Sequence, residues 1–171
     1  MASTNIFEEG NVVSILYPSD TQTAVADDWI HLGDYHSLDI VFFKGAGTAN
    51  DDPDIHVTQA TSNAGAGEKA LNFDTYYLKS GTLLSTSSVG GQFTKTTMTA
   101  SYIVSFGATS AEEQMICGIH IEADQLDVTG GFEYVRASVP DTGAAGTQLG
   151  CILGILHPSR YKSAQTPNPL D

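Results

Sequence analysis

The chain has 171 residues, which is enough for one well-packed domain and too few for two substantial cores. It carries 7 Lys and Arg against 20 Asp and Glu, and the formal net charge of −13 argues against nucleic acid or an anionic membrane as a partner. Hydrophobic residues make up 41% of the chain and charged residues only 16%, a composition typical of a folded domain rather than a disordered one.

Residues 1–27 are predicted to form an N-terminal arm, with one further strand, NVVSILY, at the edge of the domain. The opening MASTNIFEEG lacks the basic and apolar segments of a secretion signal. No apolar run approaches the length of a membrane span. We therefore expect a protein that folds in the compartment where it is made.

Residues 28–157 are predicted to form a β-sandwich domain of about eight short strands. The segment SLDIVFFKG places Leu38, Ile40 and Phe42 on one face, and DIHVTQA repeats the alternation with Ile55 and Val57. Further segments rich in β-branched or aromatic residues follow, bounded by Gly, Ser, Asn or Asp: TYYLKSG, QFTKTTMT, ASYIVSFGA, QMICGIHIEAD, GFEYVRASV and QLGCILGILH.

Two of these segments, Met115 to Ile121 and Leu149 to Leu156, have hydrophobic side chains at both parities, which predicts central positions in a sheet. Each contains one cysteine, Cys117 or Cys151, and we place both thiols on inward-facing positions. Two buried thiols in a reducing compartment are the expectation, and a disulfide between neighbouring strands stays open.

Helical signals are short. TSAEEQM has Ser110 as a candidate N-cap, and EADQLD could form one turn. Many short strands with Gly-rich turns and without alternating helices predict an all-β fold. The expected architecture is a two-sheet antiparallel sandwich, jelly-roll-like, with extended N- and C-terminal arms.

The stretch GAGTANDDPDIHVTQAT is the strongest candidate for a metal loop. Asn50, Asp52 and Asp54 have the alternating spacing of an EF-hand, but Ile55 occupies the position that requires glycine. We interpret the stretch as a turn that enters a strand, with Asp51 and Asp52 capping turn amides. A calcium site of another type stays open.

The remaining chemistry-bearing residues show no recognisable motif. Three of the five histidines could converge in the folded chain, but none has the spacing of a zinc site, and each is expected to be a polar face residue or a hydrogen-bonded rim residue: His31, His36, His56, His120 and His157. The sequence contains neither a GxSxG elbow nor a complete phosphate-binding loop. We therefore predict no catalytic residue, no cofactor, no metal site and no enzymatic activity.

Residues 158–171 are predicted to form an extended C-terminal tail, because they are rich in proline and have no apolar stripe. Arg160 and Lys162 are cations in a strongly acidic chain, and Tyr161 between them is an amphipathic anchor. We predict that Arg160, Tyr161 and Lys162 bind the acidic surface of a neighbouring subunit. A tail without a partner is the alternative.

Several segments, from Trp29 to Tyr161, carry a resemblance to a known group of proteins: DWIHLGDYHSLDIVFFKGAG, DDPDIHVTQAT, QFTK, LDVTGGFEYVRASV and the closing RY. Together they resemble virion structural proteins of tailed bacteriophages. Such proteins are similar in character to head decoration, or cement, proteins. The resemblance implies a structural protein on the exterior of the capsid, made in the host cytoplasm, with the major capsid protein as its partner. Lattice symmetry then suggests a homotrimer.

Two other functions stay open at this point. A neck, tail or fibre component of the virion would be present in few copies arranged in rings. A jelly-roll carbohydrate-binding module would instead present aromatic side chains to a sugar, and five could act as platforms: Trp29, Tyr35, Tyr76, Tyr77 and Tyr102. Copy number per virion and glycan binding distinguish these functions.

Overall fold

The computed structural model describes residues 6, 10–21, 27–47, 53–81, 92–106, 113–140, 146–157 and 169–170. These residues contain eleven strands: β1 (Asn11–Asp20), β2 (Ile30–His31), β3 (Ser37–Lys44), β4 (Asp54–Ala60), β5 (Lys69–Ala70), β6 (Phe73–Gly81), β7 (Thr94–Ser101), β8 (Ile103–Ser105), β9 (Gln114–Glu122), β10 (Tyr134–Ser138) and β11 (Leu149–Leu156). Two short 3₁₀ helices, Ala123–Gln125 and Val128–Gly130, follow β9. In the described part of the chain, no helix is long and apolar enough to cross a membrane.

The strands form two antiparallel sheets packed face to face. One sheet has the order β1-β11-β3-β9-β6-β7, and the other has the order β2-β10-β4-β5, with β8 also pairing with β4. From β1 to β4, and again from β8 to β11, successive strands alternate between the two sheets, which is the jelly-roll arrangement. The prediction of an all-β, two-sheet sandwich is therefore confirmed. The hairpin of β6 and β7 extends the first sheet beyond β9.

Each predicted strand segment contains an observed strand, and the main difference is a change of sheet. The segment ASYIVSFGA does not form one strand, since its first residues complete β7 in the six-stranded sheet and Ile103–Ser105 form β8 in the other. At this corner the backbone N–H of Ile103 donates to the Ser101 hydroxyl at 3.0 Å. A local side-chain bond of this kind satisfies the amide where the ladder is interrupted.

The helical signals have different outcomes. EADQLD contains the predicted turn at Ala123–Gln125, and a capping box between Glu122 and Gln125 stabilises its start. TSAEEQM lies mostly outside the described residues, and its last two residues begin β9. The strands β2 and β5 were not predicted, because two residues are too few to show an alternation.

The core lies between the sheets and has the predicted composition. Leu38, Ile40 and Phe42 from β3 are fully buried, as are Ile55 and Val57 from β4 on the opposite sheet. Their burial removes apolar surface from water and supplies much of the driving force for folding. The parity predicted for both strands is therefore confirmed.

The two most apolar strands are central, as predicted, but only one cysteine faces the core. β9 lies between β3 and β6, and β11 lies between β1 and β3. Cys117 on β9 is fully buried, whereas Cys151 on β11 is half-buried on the opposite face, beside Leu153, which is 40% exposed. The inward placement of Cys151 was wrong, because β11 has no polar residue to mark its outer face. Both thiols are free.

The end of the C-terminal tail lies on the smaller sheet. Pro169 is buried, and its carbonyl accepts a hydrogen bond of 2.7 Å from the backbone N–H of His31 in β2. The predicted partner-binding residues Arg160, Tyr161 and Lys162 are outside the described residues. So are Asp51 and Asp52 of the candidate metal loop.

Candidate functional site

The outer face of the six-stranded sheet has an apolar centre, although the protein is strongly acidic. The smaller sheet covers the inner face, so outward side chains of the central strands meet solvent. Phe43 on β3 is 47% exposed and Leu153 on β11 is 40% exposed. We call this surface the outer face, and it is formed by the outward residues Val41, Phe43, Ile116, Gly118, Cys151, Leu153 and Ile155. These seven residues form an uncharged patch, and the outward side chains of Asp39, Lys79 and Glu122 lie around it on the same side of the sheet.

A groove of about 400 Å³ crosses the outer face where one side chain is missing. Gly118 on β9 pairs with Val41 on β3 and with Tyr77 on β6, so the row of side chains is interrupted between them. Among the described residues, a Cβ atom at position 118 would meet only the Cβ of Tyr77, at 3.9 Å. The walls include Val41, Tyr77, Phe93 and Ile155, and Asp39 and His120 also line the groove.

Asp39 lies between two histidines from the strands on either side of it. In the β3–β9 ladder Asp39 pairs with His120. His157 follows directly after β11, and its backbone N–H donates to the Ser37 carbonyl at 2.9 Å. Nδ1 of His120 is 2.5 Å from Oδ1 of Asp39, and Nε2 of His157 is 2.6 Å from Oδ2. The carboxylate therefore uses one oxygen for each imidazole.

A second carboxylate contacts the other side of the His120 ring. Nε2 of His120 is 3.0 Å from Oε1 of Glu122, two residues further along β9 and on the same face. Partial burial lowers the pKa of His120, but the hydrogen bonds to Asp39 and Glu122 outweigh this effect and hold the pKa above its ordinary value. The surroundings of this ring therefore favour positive charge.

The sequence analysis expected hydrogen-bonded polar histidines and left open that some of them converge, as His120 and His157 do. The structure brings them together with Asp39, which the sequence analysis did not consider as a site residue. Alternation along β3 and β9 could have placed Asp39 and His120 on the same side of their strands. Only the strand order, with β3 between β9 and β11, places the three side chains side by side.

The aromatic side chains named as sugar platforms have different environments. Tyr35 is fully buried and Trp29 is 8% exposed, with the Arg136 guanidinium 4.8 Å above its indole ring, so neither presents a free ring face. Tyr76 packs against the core, and Tyr102 contacts the ring of His56. Tyr77, in the groove, is the most exposed of the five.

Comparisons with protein-family models, with curated proteins and with solved structures give no match to this chain.

The two cysteines are expected to differ in their reaction with a thiol reagent, since one faces the core and the other the outer face. Burial raises the pKa of the Cys117 thiol to about 12, so the reactive thiolate is scarce as well as inaccessible. Burial also raises the pKa of Cys151, but this side chain is only half-buried. Alkylation of the native protein, followed by peptide mass spectrometry, should modify Cys151 faster by tenfold or more, on the order of the difference that burial makes to thiol reactivity. Equal rates would contradict the face assignment.

Proposed function

We propose that the protein is a structural component of a phage virion, a capsid decoration protein whose outer face packs against the major capsid protein. The observation that carries the proposal is the exposed apolar patch at the centre of the outer face, on a chain with a net charge of −13. Large apolar side chains left in solvent at the centre of a sheet are typical of an interaction surface. The resemblance of the strand segments to virion structural proteins supplies the biological setting.

The charge of the chain favours the capsid subunit over a second copy as the occupant of the outer face. Two copies that met through this face would bring together two chains of −13 each without a basic segment between them, whereas a contact through the tail places Arg160 and Lys162 against the acidic body of the neighbour. A capsid subunit of lower negative charge would meet less repulsion at the outer face. Binding to the assembled lattice more tightly than to free subunits would stabilise the shell by mass action.

The tail completes this proposal with a second contact. Arg160, Tyr161 and Lys162 would bind the acidic body of an adjacent copy, which links neighbouring decoration proteins around a threefold position as a trimer. Pro169, beyond these residues, accepts a hydrogen bond from the backbone N–H of His31 in β2.

Protection of Cys151 tests the proposed contact directly, because this thiol lies in the outer face. The protein is alkylated free in solution and bound to capsid shells of the parent virus, and modified peptides are quantified. Binding should slow the modification of Cys151 by about tenfold or more, as burial of a thiol does. The Val128→Cys variant is the matched control, since Val128 is 54% exposed on a 3₁₀ helix outside the outer face and should stay reactive.

Two outcomes would contradict the proposal. If Cys151 stays as reactive in the complex as in the free protein, the outer face is not the contact. If the virion contains about a dozen copies rather than on the order of hundreds, the protein belongs to a neck or tail ring and not to the capsid lattice.

A further inference from the structure

We propose that Asp39, His120 and His157 form a binding site for a divalent transition-metal ion such as Zn²⁺. The ligand atoms of the three side chains lie within 4.8 Å of one another, and they come from three adjacent positions of one sheet: β3, β9 and the end of β11. The inference is independent of the capsid proposal and departs from the prediction, made from sequence spacing, that the chain has no metal site.

The two carboxylates that contact His120 favour a positive charge at this ring, which a proton or a metal ion can supply. A neutral imidazole has one N–H and one lone pair, whereas the two nitrogens of His120 each face a carboxylate oxygen, which only accepts. A protonated ring donates to both carboxylates, whereas in a neutral ring whose Nε2 donates to Glu122 the lone pair of Nδ1 points at Oδ1 of Asp39. A metal ion between these two atoms takes the place of the proton and forms a coordinate bond to each.

Glu122 then has the position of an orienting carboxylate. In metal sites a ligating histidine commonly donates its other ring N–H to a carboxylate, which fixes the tautomer and strengthens the ligand. The 3.0 Å separation between Nε2 of His120 and Oε1 of Glu122 fits this role. The arrangement Glu122–His120–metal–Asp39 thus uses every polar atom that the described contacts assign to the His120 ring.

The second imidazole makes the donor set specific. Nε2 of His157 lies 2.6 Å from the other oxygen of Asp39, so two nitrogens and one carboxylate meet. Such a set suits Zn²⁺ and its neighbours in the first transition row, whereas Ca²⁺ and Mg²⁺ require oxygen ligands. The site is therefore expected to select for transition metals.

Small side-chain movements are enough to admit the ion. Bonds of about 2.0–2.1 Å at tetrahedral angles place ligand atoms about 3.4 Å apart. The separations of 2.5 Å and 2.6 Å must therefore each widen by less than about 1 Å, and the widest separation in the set, at most 4.8 Å, must narrow by up to about 1.4 Å. His120, Asp39 and His157 are 42%, 35% and 35% exposed, so their side chains have room to rotate. Three protein ligands leave a fourth tetrahedral position for water beside the groove.

Titration of the untagged, EDTA-treated, full-length protein with ZnCl₂ in a calorimeter tests this site. We expect one Zn²⁺ per chain, with no heat of binding for MgCl₂ or CaCl₂ at the same concentrations. His120→Ala and His157→Ala should each weaken Zn²⁺ binding by more than about tenfold, and Glu122→Gln by about 10–100-fold. Circular dichroism of each variant verifies its fold.

His31→Ala is the matched control for binding by a single histidine among acids. His31 lies 3.7 Å from Asp34 and 3.3 Å from Glu133, but its ring packs on Tyr134 instead of facing a second imidazole. This variant should bind Zn²⁺ as tightly as the wild type. Zinc binding that survives in His120→Ala and His157→Ala, or that is lost in His31→Ala, would overturn the proposal.

Nuclear magnetic resonance of the wild-type histidine rings tests zinc binding without any variant, so the result does not depend on how a variant folds. Addition of ZnCl₂ should shift the ring nitrogens of His120 and His157 and leave those of His31 and His56 in place. An unchanged spectrum for His120 and His157 would refute the site.

Discussion

Phe42→Ala is expected to lower the free energy of unfolding by about 3–5 kcal/mol, the cost typical of removing a buried aromatic ring. Phe42 is fully buried between the sheets. Its ring covers Gly150 of β11, where a Cβ atom would lie only 3.1 Å from Cε2 of the ring. Hydrogen-bonded strands flank the resulting cavity and resist its collapse. Urea unfolding followed by circular dichroism measures the change.

Phe43→Ala is the matched control, because it removes the same side chain one residue away on the opposite face. Phe43 is 47% exposed, so its truncation should cost less than about 1 kcal/mol. The difference between the two effects reports the parity of β3, because the two rings lie on opposite faces of the strand. Similar losses for both variants would show that the outer face is covered in solution.

The parity of a strand can be predicted only where a polar residue marks one face. In β3, Asp39 identifies the outward side, so Phe42 was placed correctly even though Phe43 beside it is also apolar. In β11 the sequence LGCILGIL contains no such marker, and Cys151 was placed on the wrong face. Hydrophobic alternation thus predicts the existence of a strand more reliably than its orientation.

The His120–Asp39–His157 cluster could not be predicted because it depends on long-range pairing. Asp39 is 81 residues from His120 and 118 residues from His157 in the chain. The three meet since β3 lies between β9 and β11, and a shift of one residue in the β3–β9 register would turn His120 to the opposite side. Sequence spacing carries no information on either condition.

The groove at Gly118 also depends on strand order, which the sequence does not give. Gly118 could be recognised in the sequence as a weak point of a strand, which marks a bulge or a close approach of another group. Its observed role is different, because the position opens a depression between Val41 and Tyr77 on neighbouring strands. The identity of those neighbours comes from the strand order alone.

Phe43→Asp is expected to abolish binding to the capsid shell while the domain stays folded. A carboxylate at the centre of the outer face would be buried without a partner in the complex, which costs several kcal/mol, and each 1.4 kcal/mol reduces affinity about tenfold. We therefore expect affinity to fall by about 100-fold or more, with a stability loss of less than about 1 kcal/mol at this half-exposed position. Co-sedimentation with capsid shells measures the binding.

Val128→Asp is the matched control for Phe43→Asp. It adds the same charge at an apolar residue that is 54% exposed but lies outside the outer face. Both variants lower the net charge from −13 to −14, so a general electrostatic effect would weaken both equally. A contact through the outer face predicts loss of capsid binding for Phe43→Asp alone.

Sedimentation velocity of the free proteins tests whether a second copy of the chain covers the outer face instead. If the wild type self-associates and only Phe43→Asp is monomeric, a second copy covers this face and the capsid contact lies elsewhere.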